Sequence, residues 1–336
     1  VSADPSAGRP LPAWSLALQG PEYDLLLPAL SALPDALAYR IAHARGRFNA
    51  RHDRDWVSLG LRRRHVAALV EQGYGLLLPP PQARAATIER FETVAREEME
   101  TRALASRGIG HFEIDADPAL DLLERRPRDR GIVLVTAHHE TFLIGIAAMG
   151  LRGEIVHTAI STVSNDPRLH PAIRRHYARK YEGLRRHGNG AGTPEVETSM
   201  RHLYRALARR EAVVVLCDSP APPGSPAMCV PWLGAHRRMA QGAFRLAETT
   251  GSMMAAFSCR WQGGRRHEIR LSPLLDPRAL GARGCAQHAF AFLGRHVLER
   301  PGRWWGSHLL PACGPCEPAS DGDVGVDDTV ADPGAA

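Results

Sequence analysis

The reading of this chain turns on VLVTAHHETFL, Val133 to Leu143. An apolar, β-branched run stops at His138, His139 and Glu140, and a helical-looking segment, Leu143 to Gly150, follows. Short apolar runs bounded by polar residues signal buried strands. Outward from it the pattern alternates. Strands are expected at 153–161, 212–218, 252–261 and 266–275, and helices at 170–184, 194–211, 238–251 and 285–305. Upstream, residues 24–50 and 81–107 carry apolar residues at helical spacing. The expected fold class is therefore α/β: a central mixed, mainly parallel sheet flanked by helices, with a helical N-terminal section. In open α/β sheets ligands bind at the carboxyl ends of the strands. Two of the expected strands end in polar groups there, one at His138-His139-Glu140 and one at Asp218-Ser219. That coincidence points to a site.

With 336 residues, 44% of them hydrophobic, the chain can bury a substantial core. One α/β domain is expected over 21–312, after an extension at 1–20 and before an acidic tail at 313–336 that reads as disordered. No apolar run approaches the roughly 18–20 residues that a membrane-spanning helix needs. Residues 1–14 lack the basic-then-apolar order of a leader peptide. A cytoplasmic chain without an integral membrane segment is expected, with peripheral membrane contact left open.

The formal charge is +6, unevenly placed. Residues 313–336 hold six acidic residues and no Lys or Arg, so without them the rest of the chain stands at +12. Lys180 is the only lysine. Arginine forks suit phosphate, sulfate or carboxylate. No aromatic–basic interleaving or helix-turn-helix pattern accompanies them, which argues against nucleic acid. The expected partners are an anionic small-molecule substrate and an acidic carrier protein or small acidic partner subunit. Cys217, Cys229, Cys259, Cys285, Cys313 and Cys316 lack framework spacing and read as free thiols. Cys313-Gly314-Pro315-Cys316 matches a redox motif, but without the strand before it and the helix after it that the chemistry needs. No metal or organic cofactor is implied.

The segments 131–153, 164–188 and 213–261, closed by Glu299 to Leu310, together resemble the lysophospholipid acyltransferase superfamily, in particular its bacterial lipid A late (lauroyl/myristoyl) acyltransferase branch. Val230 to Gly234 and the Gly-x-x-x-Leu-Ala-x-x-Thr-Gly run at 242–251 carry most of that likeness. The resemblance implies an acyltransferase-like fold and a His-x-x-x-x-Asp/Glu motif. In that motif the histidine takes the proton of an acceptor hydroxyl that attacks an acyl thioester, and the carboxylate orients the imidazole. His138 falls on the motif histidine. Leu143 falls on the carboxylate, and shifting the register to His139 puts Ile144 there.

Three functions follow from that break. The first-weighted is a divergent enzyme in which His138 or Glu140 deprotonates an anionic, carrier-tethered natural-product intermediate, with loss of sulfate or phosphate and ring closure. The second is acyl transfer from an acyl-carrier or coenzyme A thioester to a hydroxyl or amine, with Glu140 or Asp218 orienting the base. The third is a catalytically inactive partner subunit. The candidate catalytic residues are His138, Glu140 and Asp218. His139, Ser219, Arg186, Arg237, Arg238 and Arg260 are the candidate substrate binders. Arg237 and Arg238 are expected just before a helix, whose N-terminus favours anions.

Overall fold

In the computed structural model, which describes residues 8–195, 200–222 and 224–317, the apolar runs assemble into a six-stranded sheet. Its strands are β1 (Glu113–Asp115), β2 (Ile132–Thr136), β3 (Val156–Thr158), β4 (Ala212–Leu216), β7 (Met253–Gly263) and β8 (Arg266–Leu271). Their order is β1-β8-β7-β2-β4-β3, and only the β7–β8 pair is antiparallel. The separate β5 (Ala227–Trp232) and β6 (Ala235–Ala240) form an antiparallel hairpin.

β2 lies between β7 and β4, and all five of its residues are buried. Val133 and Val135 pack into one apolar cluster with the helices Gly242–Thr250 and Pro277–Glu299. Ile132 and Leu134 pack into a second with the helix Phe142–Ala148. Burial on both faces is why the strand reads as an unbroken apolar run rather than an alternating one.

The N-terminal helices pack on the 28-residue helix Pro80–Arg107. Its closest neighbour is the helix Asp35–His52; a Cβ on Gly46 would stand 2.4 Å from the Glu92 Cα, so the two backbones touch there. The long helix also buries charges. Arg90 pairs with Asp55 at 2.6 Å, Glu97 with Lys180 at 3.1 Å and Glu98 with Arg45 at 2.6 Å. Buried charge is tolerated only when paired in this way. Glu100 accepts from the Tyr39 hydroxyl at 3.0 Å, and burial pushes its carboxyl up to about 8.

Several expectations change. Residues 227–240, read as loop and the start of a helix, form the β5–β6 hairpin, and the helix starts only at Gly242. Leu233 (φ 51°) and Gly234 (φ 80°) supply the two positive φ values of a two-residue hairpin turn. Pro231 and the polar run His236-Arg237-Arg238 hid the strand pattern. β1 was not anticipated, and the helix expected at 194–211 is observed as Arg201–Ala208, with 196–199 outside the described residues.

The segment boundaries move as well. Leu11 and Ser15 are buried, so residues 8–20 pack against the domain instead of extending from it. Cys313 is buried and Cys316 is disulfide-bonded to Cys229, so the chain from 313 to 316 belongs to the packed molecule. The rest of the acidic tail, 318–336, lies outside the described residues. The disulfide corrects the free-thiol reading for two of the six cysteines. Bridging of Arg237 to Pro315 lays the C-terminal segment along β6 and brings the two Cα atoms to 6.0 Å. Cys217, Cys259, Cys285 and Cys313 are buried free thiols. Among the described residues no helix is long and apolar enough to cross a membrane.

Candidate active site

The site is a consequence of strand register. β2 and β4 run parallel with Ile132 opposite Ala212 and Thr136 opposite Leu216. Two residues further, past the carboxyl ends of both strands, His138 comes level with Asp218. His138 Nδ1 stands 2.8 Å from Asp218 Oδ1, and the His138 backbone N–H donates to Oδ2 at 2.9 Å. The Trp304 indole N–H donates to the same Oδ2 at 2.7 Å. Asp218 is fully buried. Burial alone would raise its pKa; the His138 charge and hydrogen bond, with the Trp304 and backbone donors, outweigh it and hold the carboxyl below its ordinary range.

Three donors aimed at one carboxylate fix the imidazole. With the Asp218 carboxylate accepting at Nδ1, the network places the ring proton there and leaves the lone pair on Nε2. No described residue hydrogen-bonds His138 Nε2, and the side chain is 30% exposed. The ring lies edge-on to Phe142 at 5.3 Å, and Trp305 stands 6.0 Å away. Behind these two aromatic rings sits the Lys180 ammonium, 5.5 Å from Phe142 and 5.1 Å from Trp305. Gly306 closes the floor: a Cβ there would stand 2.6 Å from Trp304 Nε1 and 2.9 Å from Asp218 Oδ2. An oriented imidazole with its free nitrogen toward solvent can take a proton from a hydroxyl and return it.

The other sequence candidates go elsewhere. Glu140 is fully buried, with φ 51°, and its side chain faces the opposite way. It accepts from the Trp261 backbone N–H at 2.8 Å and pairs with Arg303 at 3.2 Å and Arg300 at 3.5 Å. Burial raises its pKa, and the neighbouring cations with the Trp261 N–H overcompensate and lower it. Glu140 thus ties the C-terminal segment to β7 and does not reach His138. His139 is buried with Nε2 3.3 Å from the Arg300 carbonyl, and burial pushes its pKa down to about 4. Leu143 sits in the apolar cluster beneath the helix Phe142–Ala148.

Ser219 follows Asp218 at the strand end and is half-buried. Arg237 is buried in β6, where its guanidinium donates to the Cys313 carbonyl at 3.4 Å; Arg238 faces outward opposite Cys229. Both lie in β6, five and four residues ahead of the helix Gly242–Thr250 and not at its first turn as expected. Arg186 is on the surface and pairs with Glu182 at 3.1 Å; Arg260 pairs with Glu299 at 3.1 Å. The structure does not gather these arginines around His138. The sequence reading did not assign Trp304 to the carboxylate. Its two-tryptophan run next to glycine was the only signal available. Among the described residues no group of three or more His, Cys, Asp or Glu could hold a metal ion.

The family model described as bacterial lipid A biosynthesis acyltransferase matches residues 84–308. No curated protein matches the chain. Among solved structures, the chain is similar to the 1-acyl-sn-glycerophosphate (LPA) acyltransferase PlsC from Thermotoga maritima. The identity is 11% and the TM-score 0.35, over 78% of this chain and 97% of that one.

Proposed function

Since the chain belongs to the bacterial lipid A biosynthesis acyltransferase family, we propose that it transfers an acyl group from a thioester donor to a hydroxyl acceptor, with His138 as general base and Asp218 as the carboxylate that orients it. The observation that carries this reading is the 2.8 Å contact between His138 Nδ1 and a fully buried Asp218 at two adjacent parallel strand ends. His138 Nε2 takes the acceptor hydroxyl proton as the oxygen attacks the thioester carbonyl carbon. The tetrahedral intermediate then collapses with cleavage of the C–S bond. The leaving thiolate receives the proton from the imidazolium, and Asp218 stabilises that imidazolium throughout.

The base-driven elimination and ring closure expected first from the sequence drew part of its motive from a histidine without a carboxylate partner. Asp218 stands at hydrogen-bond distance from that histidine, and that part of the motive falls away. Carrier-protein delivery of the donor remains compatible with the +12 charge outside the acidic tail.

The test is product formation. The purified chain, given long-chain acyl-coenzyme A or acyl-carrier protein and a bacterial glycolipid or lysophospholipid extract, should release free thiol and yield an acylated lipid by mass spectrometry. His138→Ala should abolish both. Persistence of both signals in His138→Ala would remove the proposed base, and thiol release with no acylated product would leave only thioester hydrolysis.

A further inference from the structure

The motif Cys313-Gly314-Pro315-Cys316 takes no part in the site around His138, and its two cysteines are in different states. Cys316 is bonded to Cys229 of β5, whereas Cys313 is a buried free thiol. Three hydrogen bonds lay the motif along β6. The Arg238 backbone N–H donates to the Gly314 carbonyl at 3.0 Å, and the Cys316 N–H donates to the His236 carbonyl at 3.2 Å. The Arg237 guanidinium donates to the Cys313 carbonyl at 3.4 Å. A free thiol and a disulfide sulfur thus share one short segment, pinned to the hairpin that carries the third cysteine.

We propose that Cys229, Cys313 and Cys316 form a thiol–disulfide exchange centre with two states, one closed by Cys229–Cys316 and the other by Cys313–Cys316. In the exchange the Cys313 thiolate attacks Cys316 Sγ and the bond to Cys229 breaks. Cys229 leaves with the electron pair and takes up the proton that Cys313 gave up. One disulfide is lost and one is made, so no oxidant or reductant enters. Cys316 is the sulfur attacked because it lies three residues from Cys313 across Gly314-Pro315, a turn-forming pair. A 3₁₀ helix, Trp305–Ala312, leads into the motif where thioredoxin-type chemistry has a strand, and the exchange runs within the chain.

The state seen in the structure is protected. Burial pushes the Cys313 thiol up to about 12, with Arg237 working against that shift and Asp218 adding to it. The thiol also donates to the Leu309 carbonyl at 3.6 Å. Only the thiolate attacks a disulfide, so exchange waits for residues 313–316 to lift from β6 and let Cys313 ionise. The new bond leaves the hairpin without its covalent tie to the segment that carries Trp304 to Asp218. The inference rests on the three sulfurs, not on the acyl-transfer reading, and its test involves no turnover.

The full chain, purified without reductant, would be held in mildly alkaline buffer free of oxygen with a low concentration of N-ethylmaleimide. Its cysteines would then be mapped without reduction. The parent should acquire label on Cys229 together with a Cys313–Cys316 bond, while labelled and free thiols together stay at four per chain. Cys313→Ser and Cys313→Ala should each keep the Cys229–Cys316 bond and lower Cys229 labelling at least about tenfold. Cys229→Ser, given a small disulfide as oxidant, should close Cys313 onto Cys316. An unlabelled Cys229 in the parent would overturn the proposal. So would equal labelling of Cys229 in the parent and the Cys313 variants, a product joining Cys313 to Cys229, or an open pair in oxidised Cys229→Ser.

Discussion

Replacing Asp218 by asparagine preserves volume but presents an amide where the imidazole requires an acceptor. The hydrogen bond at Nδ1 then favours the wrong tautomer. In a comparable Ser-His-Asp triad that change costs about 10⁴ in rate, and Asp218→Asn should lose thioester turnover on a similar scale, about 10³–10⁴. Gly306→Ala should act through the same contact, because its Cβ must displace Trp304 or Asp218. A drop in kcat with little change in KM is the expected signature, read from steady-state kinetics. Glu140→Gln should do the reverse. It loosens a buried pair whose cations are partly in water, so a stability loss of about 2–3 kcal/mol is expected in urea titration. Turnover per folded molecule should stay near the parent value. At this scale the strand-end position of His138 was legible, because the apolar run of β2 stops just before it. Asp218 was visible as a second polar strand end. Its pairing with His138 was not, since a sequence separation of 80 says nothing of β-sheet register. Glu140 was misleading because proximity in sequence hid a left-handed backbone that turns its side chain to Arg303.

Among the elements, the β5–β6 hairpin departs furthest from the sequence pattern. Its strands are short, one contains Pro231, and β6 carries the unbroken polar run His236-Arg237-Arg238, so turn and helix signals overwhelmed a period of two. The central strands were legible for the opposite reason: full burial on both faces leaves no polar residue to interrupt them. The hairpin also holds the end of the described chain through Cys229 and Cys316, 87 residues apart. Closing a loop of that length constrains the unfolded chain, and Cys316→Ser should lose about 2–4 kcal/mol of stability under non-reducing conditions. The difference between parent and variant should vanish in reductant. A non-reduced peptide map joining the Cys229 and Cys316 peptides checks the pairing itself.

For the whole molecule, the notable feature is how much titratable surface is folded inward. Burial pushes His139 and His308 down to about 4 and His267 to about 3, against 6.5 when free. Each is neutral in the folded chain and takes up a proton on unfolding. Their contribution is present above pH 6.5 and is lost as pH falls toward 4. Asp218 and Glu140, with lowered carboxyl pKa values, add a further loss below the ordinary carboxylate range. Glu100 works against these groups, since burial raises its carboxyl to about 8 and it holds a proton in the folded chain that the unfolded chain releases above the ordinary carboxylate range. The histidine contribution is therefore read from a difference: between pH 6.5 and 4, His139→Gln should lose less stability than the parent by urea midpoint. An identical pH dependence in the two would contradict a buried neutral His139. None of this was accessible from composition, which counts charges without saying which are buried.

The central claim, that His138 and Asp218 act as one catalytic unit, is tested most directly by a double-mutant cycle on thioester turnover. His138→Ala, Asp218→Asn and the double variant would be compared under single-turnover conditions. If the pair works as a unit, the double variant is no slower than His138→Ala alone, because an orienting carboxylate has nothing left to orient. Additive losses, or an Asp218→Asn variant with nearly full turnover, would contradict the account.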